Sequence, residues 1–170
     1  MAFSPIPHEV YPDIFHIDPK WLRRQGITLL LADLDNTLAR YGQAAPEARV
    51  IAWKEALAAE GVELFLLSNS RKSLRVKHYA EALGVPYQGH SGKPSRSGFR
   101  QAMERMGRTS AETAMVGDQI FTDVLGARRS GVMALMVEPI ELRGNPGRYL
   151  RYGLETPFRY AGKRRRERRL

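Results

Sequence analysis

The sequence predicts an α/β fold built on one central parallel sheet, and three observations lead there. An apolar run, Leu29-Leu30-Leu31-Ala32, ends in two carboxylates one residue apart, Asp33 and Asp35, as expected of a buried strand that delivers an acidic site to the crevice at its carboxyl end. Apolar segments of strand length alternate with amphipathic segments of helix length along the chain, the pattern of βαβ units. Each main apolar segment is followed by a short polar cluster, so the functional groups gather at one edge of the sheet.

The elements follow in order. Residues 1–26 are rich in proline, with Trp21-Leu22 as a packing anchor and one short turn of helix, and read as a lead-in packed on the core. Residues 27–31 form the first strand. Pro46 opens a helical pattern (Val50, Ile51, Trp53, Leu57, Ala58) that Gly61 closes, using proline at the start and glycine at the end. Strands are expected over 62–67, 85–87, 113–116 and 132–137, and helices over 71–83, 94–106 and 119–129. Gly84, Gly107 and Gly131 stop those helices. Thr109-Ser110-Ala111-Glu112 has the form of a capping box and marks one tight turn. The whole is a Rossmann-like domain of about five strands with helices on both faces, spanning 27–142, followed by a basic tail over 143–170.

Composition narrows the function. A chain of 170 residues without cysteine is most simply one domain, with no disulfide framework, thiolate metal site or cysteine nucleophile. The first 26 residues lack the basic flank and apolar core of a signal peptide, so a cytoplasmic location is expected. The net charge of +9 is unevenly placed: residues 143–170 hold ten basic against two acidic side chains, while residues 1–142 hold 17 against 16. Within the body, the basic excess over 71–108 favours anionic ligands.

Four junctions after apolar strands carry matching chemistry. They are Asp33 with Asp35, then Ser68-Asn69-Ser70, then Gly92-Lys93-Pro94-Ser95, then Gly117-Asp118 with Asp123. Each alone has a bland reading: a surface loop, a turn, a solvated lysine, a helix cap. In this order the four are hard to credit to chance: hydroxyl, amide and N–H groups that can cradle phosphate oxygens, with adjacent carboxylates whose repulsion calls for a cation or a shared proton. A receiver domain would need a phosphorylatable aspartate after a later central strand, where this chain has Ser68. A P-loop would need glycine five residues before Gly92, where this chain has Tyr87.

Through Asp33-Leu34-Asp35-Asn36-Thr37, Ser68, Lys93 and Gly117-Asp118 with Asp123, the sequence resembles the haloacid dehalogenase superfamily of aspartate-dependent phosphohydrolases. The lead-in (Asp13, Phe15, Asp18, Leu22) and the Gly-Asp-Gln-x-x-Thr-Asp form resemble its YqeG-type branch more narrowly, and through it the mitochondrial phosphatidylglycerophosphate phosphatases. The resemblance implies that Asp33 attacks phosphorus to form an aspartyl-phosphate and that Asp35 protonates the leaving oxygen and then activates water. It implies Mg²⁺ held by Asp33, Asp118 and the Asp35 carbonyl. Asn36, Thr37, Ser68, Asn69 and Lys93 would hold the phosphate, with Gly117 and Asp123 supporting.

The 32 residues between Asp35 and Ser68, and the 24 between Ser68 and Lys93, are consumed by the elements assigned to them. No cap domain fits. Capless members of the superfamily imply substrates that are large, presented on a surface, or enclosed by a second subunit of a homo-oligomer. The tail Lys163-Arg164-Arg165-Arg166-Glu167-Arg168-Arg169 admits three uses: a solvated disordered end, peripheral contact with anionic lipid at the inner membrane face, or a nucleic-acid arm. The expected function is a Mg²⁺-dependent phosphatase, with phosphatidylglycerophosphate as the single best substrate. Soluble phosphoesters or phosphoproteins are the alternative, as is a binding module for nucleic acid or ribosomes.

Overall fold

A computed structural model of the chain describes residues 4–144 and 146–167, with side chains to residue 164. A single six-stranded sheet forms the centre, in the order β1 (Glu9–Tyr11), β6 (Met133–Val137), β5 (Thr113–Gly117), β2 (Leu29–Ala32), β3 (Glu63–Leu67), β4 (Tyr87–Gln88), with every pair parallel. The sixth strand lies in the lead-in, where only a turn of helix was expected. Three residues between prolines and polar side chains are too few for a periodicity to show, and β1 exists because β6 offers it an edge.

The strands are apolar on both faces, as a parallel sheet covered on both sides requires. Successive side chains alternate between two cores. Leu30, Ala32, Leu64, Leu66, Ala114, Val116, Leu135 and Val137 share one core with residues of α1 (Pro19–Arg24), α2 (Ala48–Ala59) and α3 (Ser73–Leu83). Leu29, Leu31, Phe65, Leu67, Met115, Ala134 and Met136 share the other with residues of α4 (Arg96–Met106) and α5 (Leu125–Arg129). At roughly 1.5–3 kcal/mol for each large side chain fully buried, these two layers dominate the stabilisation. The lead-in is fastened by Asp13, which accepts from the Phe15 N–H, by Asp18, which caps α1 at the Lys20 N–H, and by Leu22, which is fully buried.

The chain runs outward from β2 to β3 and β4 on one side, and from β5 to β6 on the other. This makes β2 and β5 the switch point, at whose carboxyl ends open sheets of this kind bind ligands. Asp33 extends the β2–β5 ladder by one hydrogen bond, from its N–H to the Val116 carbonyl at 3.0 Å. The acidic ends of both strands are thereby held side by side.

Part of the basic segment is folded. Pro146–Glu167 is helix α6, and its inner side chains Glu155 and Arg159 are buried. The basic run at 163–169 is described only as far as Arg164 in its side chains, and residues 168–170 lie outside the described part. No helix among the described residues is long and apolar enough to cross a membrane.

Candidate active site

Asp33 leaves β2 at its carboxyl end and is buried. Beside it, Gly117 ends β5, and a side chain there would overlap the Asp123 carboxylate, so glycine lets Asp123 fold back beneath the strand end. The helical run after β5 begins with a wide π-type turn over Ile120–Val124, and the Asp123 carboxylate accepts from the Gln119 N–H at 3.2 Å. Asp33, Asp118 and Asp123 can each offer a carboxylate oxygen within 4.8 Å of the others, and all three are buried.

Lys93 is set against this negative charge. Its side chain is 1 % exposed, and its ammonium donates to Asp33 at 2.8 Å and to the Leu67 carbonyl at 2.6 Å and pairs with Asp123 at 2.8 Å. Burial pushes the Lys93 pKa down, but Asp123 and Asp33 together outweigh it, and the net shift is upward. The loop is pinned by Asn69, whose side chain donates to the Lys93 carbonyl at 2.8 Å and accepts from the Lys93 N–H at 2.9 Å and the Ser91 hydroxyl at 2.8 Å. Asn69 therefore has a part that its motif did not suggest: its amide fixes the lysine. Ser68, buried at the end of β3, accepts from the Ser70 N–H at 3.1 Å.

One cation among three acids leaves the carboxylates unevenly satisfied. Burial, then the Asp123 and Asp33 charges, pushes Asp118 well above the usual carboxylate range. Its Oδ1 is buried without a partner. For Asp123, burial prevails over the opposing Lys93 charge and raises the pKa to about 6. An orphaned carboxylate oxygen in a set made only of oxygen donors, carrying a negative excess, fits a hard divalent cation.

Asp35, two residues after Asp33, is not one of the three clustered acids. Its carboxylate pairs with Arg75 of α3 at 2.6 Å, and Arg75 also donates to the carbonyls of Gln43 and Arg40. Arg75 thus clamps the whole loop after β2. Burial raises the Asp35 pKa in spite of that guanidinium. Asn36 adopts the left-handed conformation at φ 62°, which asparagine tolerates better than most residues. It staples the loop after β6 by accepting at its carbonyl from the Ile140 N–H and at its side chain from the Glu141 N–H. Thr37 is buried and its hydroxyl has no partner.

Three further residues around the site came from segments with no motif. Arg75 was one basic residue among nine in the middle segment, and nothing in the chain order singled it out. Glu155 of α6 accepts from the Ile120 and Phe121 N–H groups at 2.9 and 3.4 Å, capping the helical run after β5. Arg159 donates to the Asp118 carbonyl, to Glu155 at 3.1 Å and to Glu138 at 3.1 Å. Glu155 and Arg159 lie four apart, the spacing of facing helical partners. Glu155 is also the only acid between residues 143 and 166. That pair was the available signal that the segment is a docked helix.

Comparison with known proteins agrees with this geometry. Residues 7–131 match the family described as haloacid dehalogenase-like hydrolase. The chain is 33% identical over 135 residues to the probable phosphatase YqeG of Bacillus subtilis, covering 79% of this chain and 78% of that protein. It is 30% identical over 149 residues to the chloroplastic phosphatidylglycerophosphate phosphatase 1 of Chlamydomonas reinhardtii, covering 83% of this chain but only 55% of that protein. Among solved structures, the putative 3-deoxy-D-manno-octulosonate 8-phosphate phosphatase of Vibrio cholerae superposes with a TM-score of 0.54 at 16% identity, over 79% of this chain and 77% of that one, which supports the fold. The strand order, the four motif junctions at one sheet edge and the family match agree: the chain belongs to the haloacid dehalogenase-like hydrolases and is a capless phosphatase of that family.

Proposed function

We propose that the protein is a Mg²⁺-dependent phosphomonoesterase working through an aspartyl-phosphate, with phosphatidylglycerophosphate as the best single substrate. The observation that carries this reading is the buried Lys93 ammonium between Asp33 and Asp123, with the Asp118 Oδ1 left unpartnered beside them. The Asp33 and Asp118 carboxylates and the Asp35 carbonyl would hold Mg²⁺. When bound, the ion offsets the carboxylate repulsion and the negative charge of the phosphate.

An oxygen of Asp33 attacks phosphorus in line, the bond from phosphorus to the ester oxygen breaks, and the Asp35 carboxyl donates its proton to that departing oxygen, which leaves as the alcohol. Burial prepares Asp35 for this by favouring its protonated form, and Arg75 fixes its orientation. Asp35 then takes a proton from water, whose oxygen attacks phosphorus and releases inorganic phosphate and Asp33. Lys93 holds the Asp33 carboxylate in place at 2.8 Å, and with Ser68 and the loop N–H groups it meets the charge that spreads over the equatorial oxygens. Asp123 positions Lys93.

A crevice without a cap admits a head group borne on a surface, and the likeness to a phosphatidylglycerophosphate phosphatase supports a lipid phosphate. Such a substrate places the enzyme peripherally at a membrane. The test is phosphate release with Mg²⁺ from phosphatidylglycerophosphate in mixed micelles, compared with sugar, nucleotide and peptide phosphates at equal concentration. The lipid should be turned over with the highest kcat/KM. A soluble ester preferred over it would replace the substrate, and tight polyanion binding with no turnover of any ester would replace the enzyme.

A further inference from the structure

Helix α6 is built inside out. Side chains on a helix advance about 100° per residue, so Tyr149, Leu150, Leu154, Pro157 and Tyr160 fall within one sector of about 140°. That sector faces solvent: Tyr149, Leu150, Leu154 and Tyr160 are each at least 53% exposed. The charged side chains Glu155 and Arg159 lie on the opposite sector, buried against the loop that carries Asp118. A surface helix of a water-soluble domain normally has the reverse arrangement.

The inward placement of Glu155 also decides the sign of the outer surface. It is the only acid in residues 143–166 and is 1% exposed, so the outer face presents apolar and cationic groups. Arg164, within the outer sector, lies over Tyr160 at 4.8 Å, and Arg148, on the Glu155–Arg159 side of the helix, reaches over the exposed Tyr41 ring at 4.4 Å. Tyr41 follows Asp35 by six residues, and Arg148 at the start of the helix lines the same pocket as Asn36 and Asp118. Tyr41, Leu74, Phe121 and Ile140, all exposed, sit on connections that leave the carboxyl ends of β2, β3, β5 and β6. α6 meets this edge at two points, through Arg148 over Tyr41 and Phe158 against Phe121.

We propose that the outer face of α6, with this edge, is a docking surface for an anionic lipid bilayer. Aromatic and leucine side chains flanked by arginine are the composition of a helix lying in a membrane interface, and the cationic border is attracted to anionic head groups. A second copy of the chain is the competing occupant. It would bring two segments of net +8 together, and like charges across an interface oppose association. Docking holds the crevice against the bilayer, and the bonds of Glu155 and Arg159 to the Asp118 loop tie the docked helix to the acidic pocket.

The inference rests on the phosphatase reading only for its choice of a lipid-borne substrate. The test compares the full chain with Leu150→Gln/Leu154→Gln/Tyr160→Gln, which keeps helix propensity and removes the apolar sector. Co-sedimentation uses phosphatidylcholine vesicles with and without phosphatidylglycerol, and turnover of p-nitrophenyl phosphate with Mg²⁺ monitors the fold. The wild type should bind the anionic vesicles, and the triple variant should bind them about tenfold or more weakly with unchanged p-nitrophenyl phosphate turnover. Equal binding by both chains would overturn the proposal. So would light scattering that shows a wild-type dimer broken by the substitutions, with no vesicle binding by either. Vesicle binding lost in the variant while neither chain hydrolyses phosphatidylglycerophosphate would sustain the docking face and overturn the substrate. Undiminished hydrolysis of that lipid in vesicles by the variant would do the opposite.

Discussion

Replacing Lys93 by methionine would remove the cation that pairs with Asp33 and Asp123. Loss of one partner of a buried ion pair costs about 3–5 kcal/mol, relieved in part because Asp118 and Asp123 already favour protonation. Lys93→Met should therefore be inactive and less thermostable. Lys93→Arg should also be nearly inactive, since three oxygens within 2.8 Å surround a compact ammonium and the planar guanidinium cannot replace it. Near-normal turnover by the arginine variant would show that Lys93 is peripheral. Asp118 works in the other sense. Its carboxylate is costly when ionised without a cation, so Asp118→Asn should melt higher than wild type in chelator and show little of the Mg²⁺-induced rise in Tm that a bound ligand produces. Thermal melts of both chains with and without Mg²⁺ read this directly. At this scale the motif residues were readable because phosphoryl transfer demands particular groups at strand ends. Arg75 was not, because its partner Asp35 lies 40 positions away and only the fold brings them together.

At the scale of elements, α6 is where sequence and structure part. Its charge count reads as a solvated tail, yet Arg159 is held by Glu155, Glu138 and the Asp118 carbonyl. A helix whose polar groups face inward has no apolar stripe pointing to the core, so the usual periodicity could not reveal it. Arg159→Met should cost about 3 kcal/mol or more, lower Tm by about 6–12 °C and weaken Mg²⁺ activation, because the Asp118 loop loses its anchor. Glu138 gives the same junction a pH dependence. Burial raises its pKa, but hydrogen bonds from Lys163 and Tyr152 and the charge of Arg159 outweigh it, so the folded-state value lies below 4.5. A depressed carboxylate stabilises the fold above its unfolded pKa, and the contribution is lost as pH falls through the folded value. The Tm gap between wild type and Glu138→Gln should thus be full near pH 6 and shrink below pH 4.5. A gap that grows on acidification would contradict the assignment.

For the whole molecule, the parallel sheet, its helices and the switch point were readable because buried parallel strands are continuous apolar runs, and the helices between them carry their own stops. β1 escaped because an edge strand of three residues has no pattern of its own. At the other end of the chain, α6 packs against the second core and the Asp118 loop. A chain cut after Gly162 should fold and retain turnover of a soluble ester, since all four motif junctions remain and Lys163 is a half-exposed partner of Glu138. A chain cut after Arg143 should fold poorly. It loses Phe158, which packs on the second core, and the partners of Asp118, Ile120 and Glu138. Circular dichroism melts and p-nitrophenyl phosphate turnover of the two truncations distinguish a dispensable end from an integral helix.

The central claim is that Asp33 carries the phosphoryl group between substrate and water. Its most direct test is to quench the enzyme during turnover with Mg²⁺, reduce it with borohydride, and map the product by peptide mass spectrometry. An aspartyl-phosphate is reduced to homoserine, so the account predicts homoserine at position 33 alone, dependent on substrate and absent from an inactive but folded Asp33→Asn variant. Steady turnover without modification at position 33, or substantial turnover by Asp33→Asn, would contradict it.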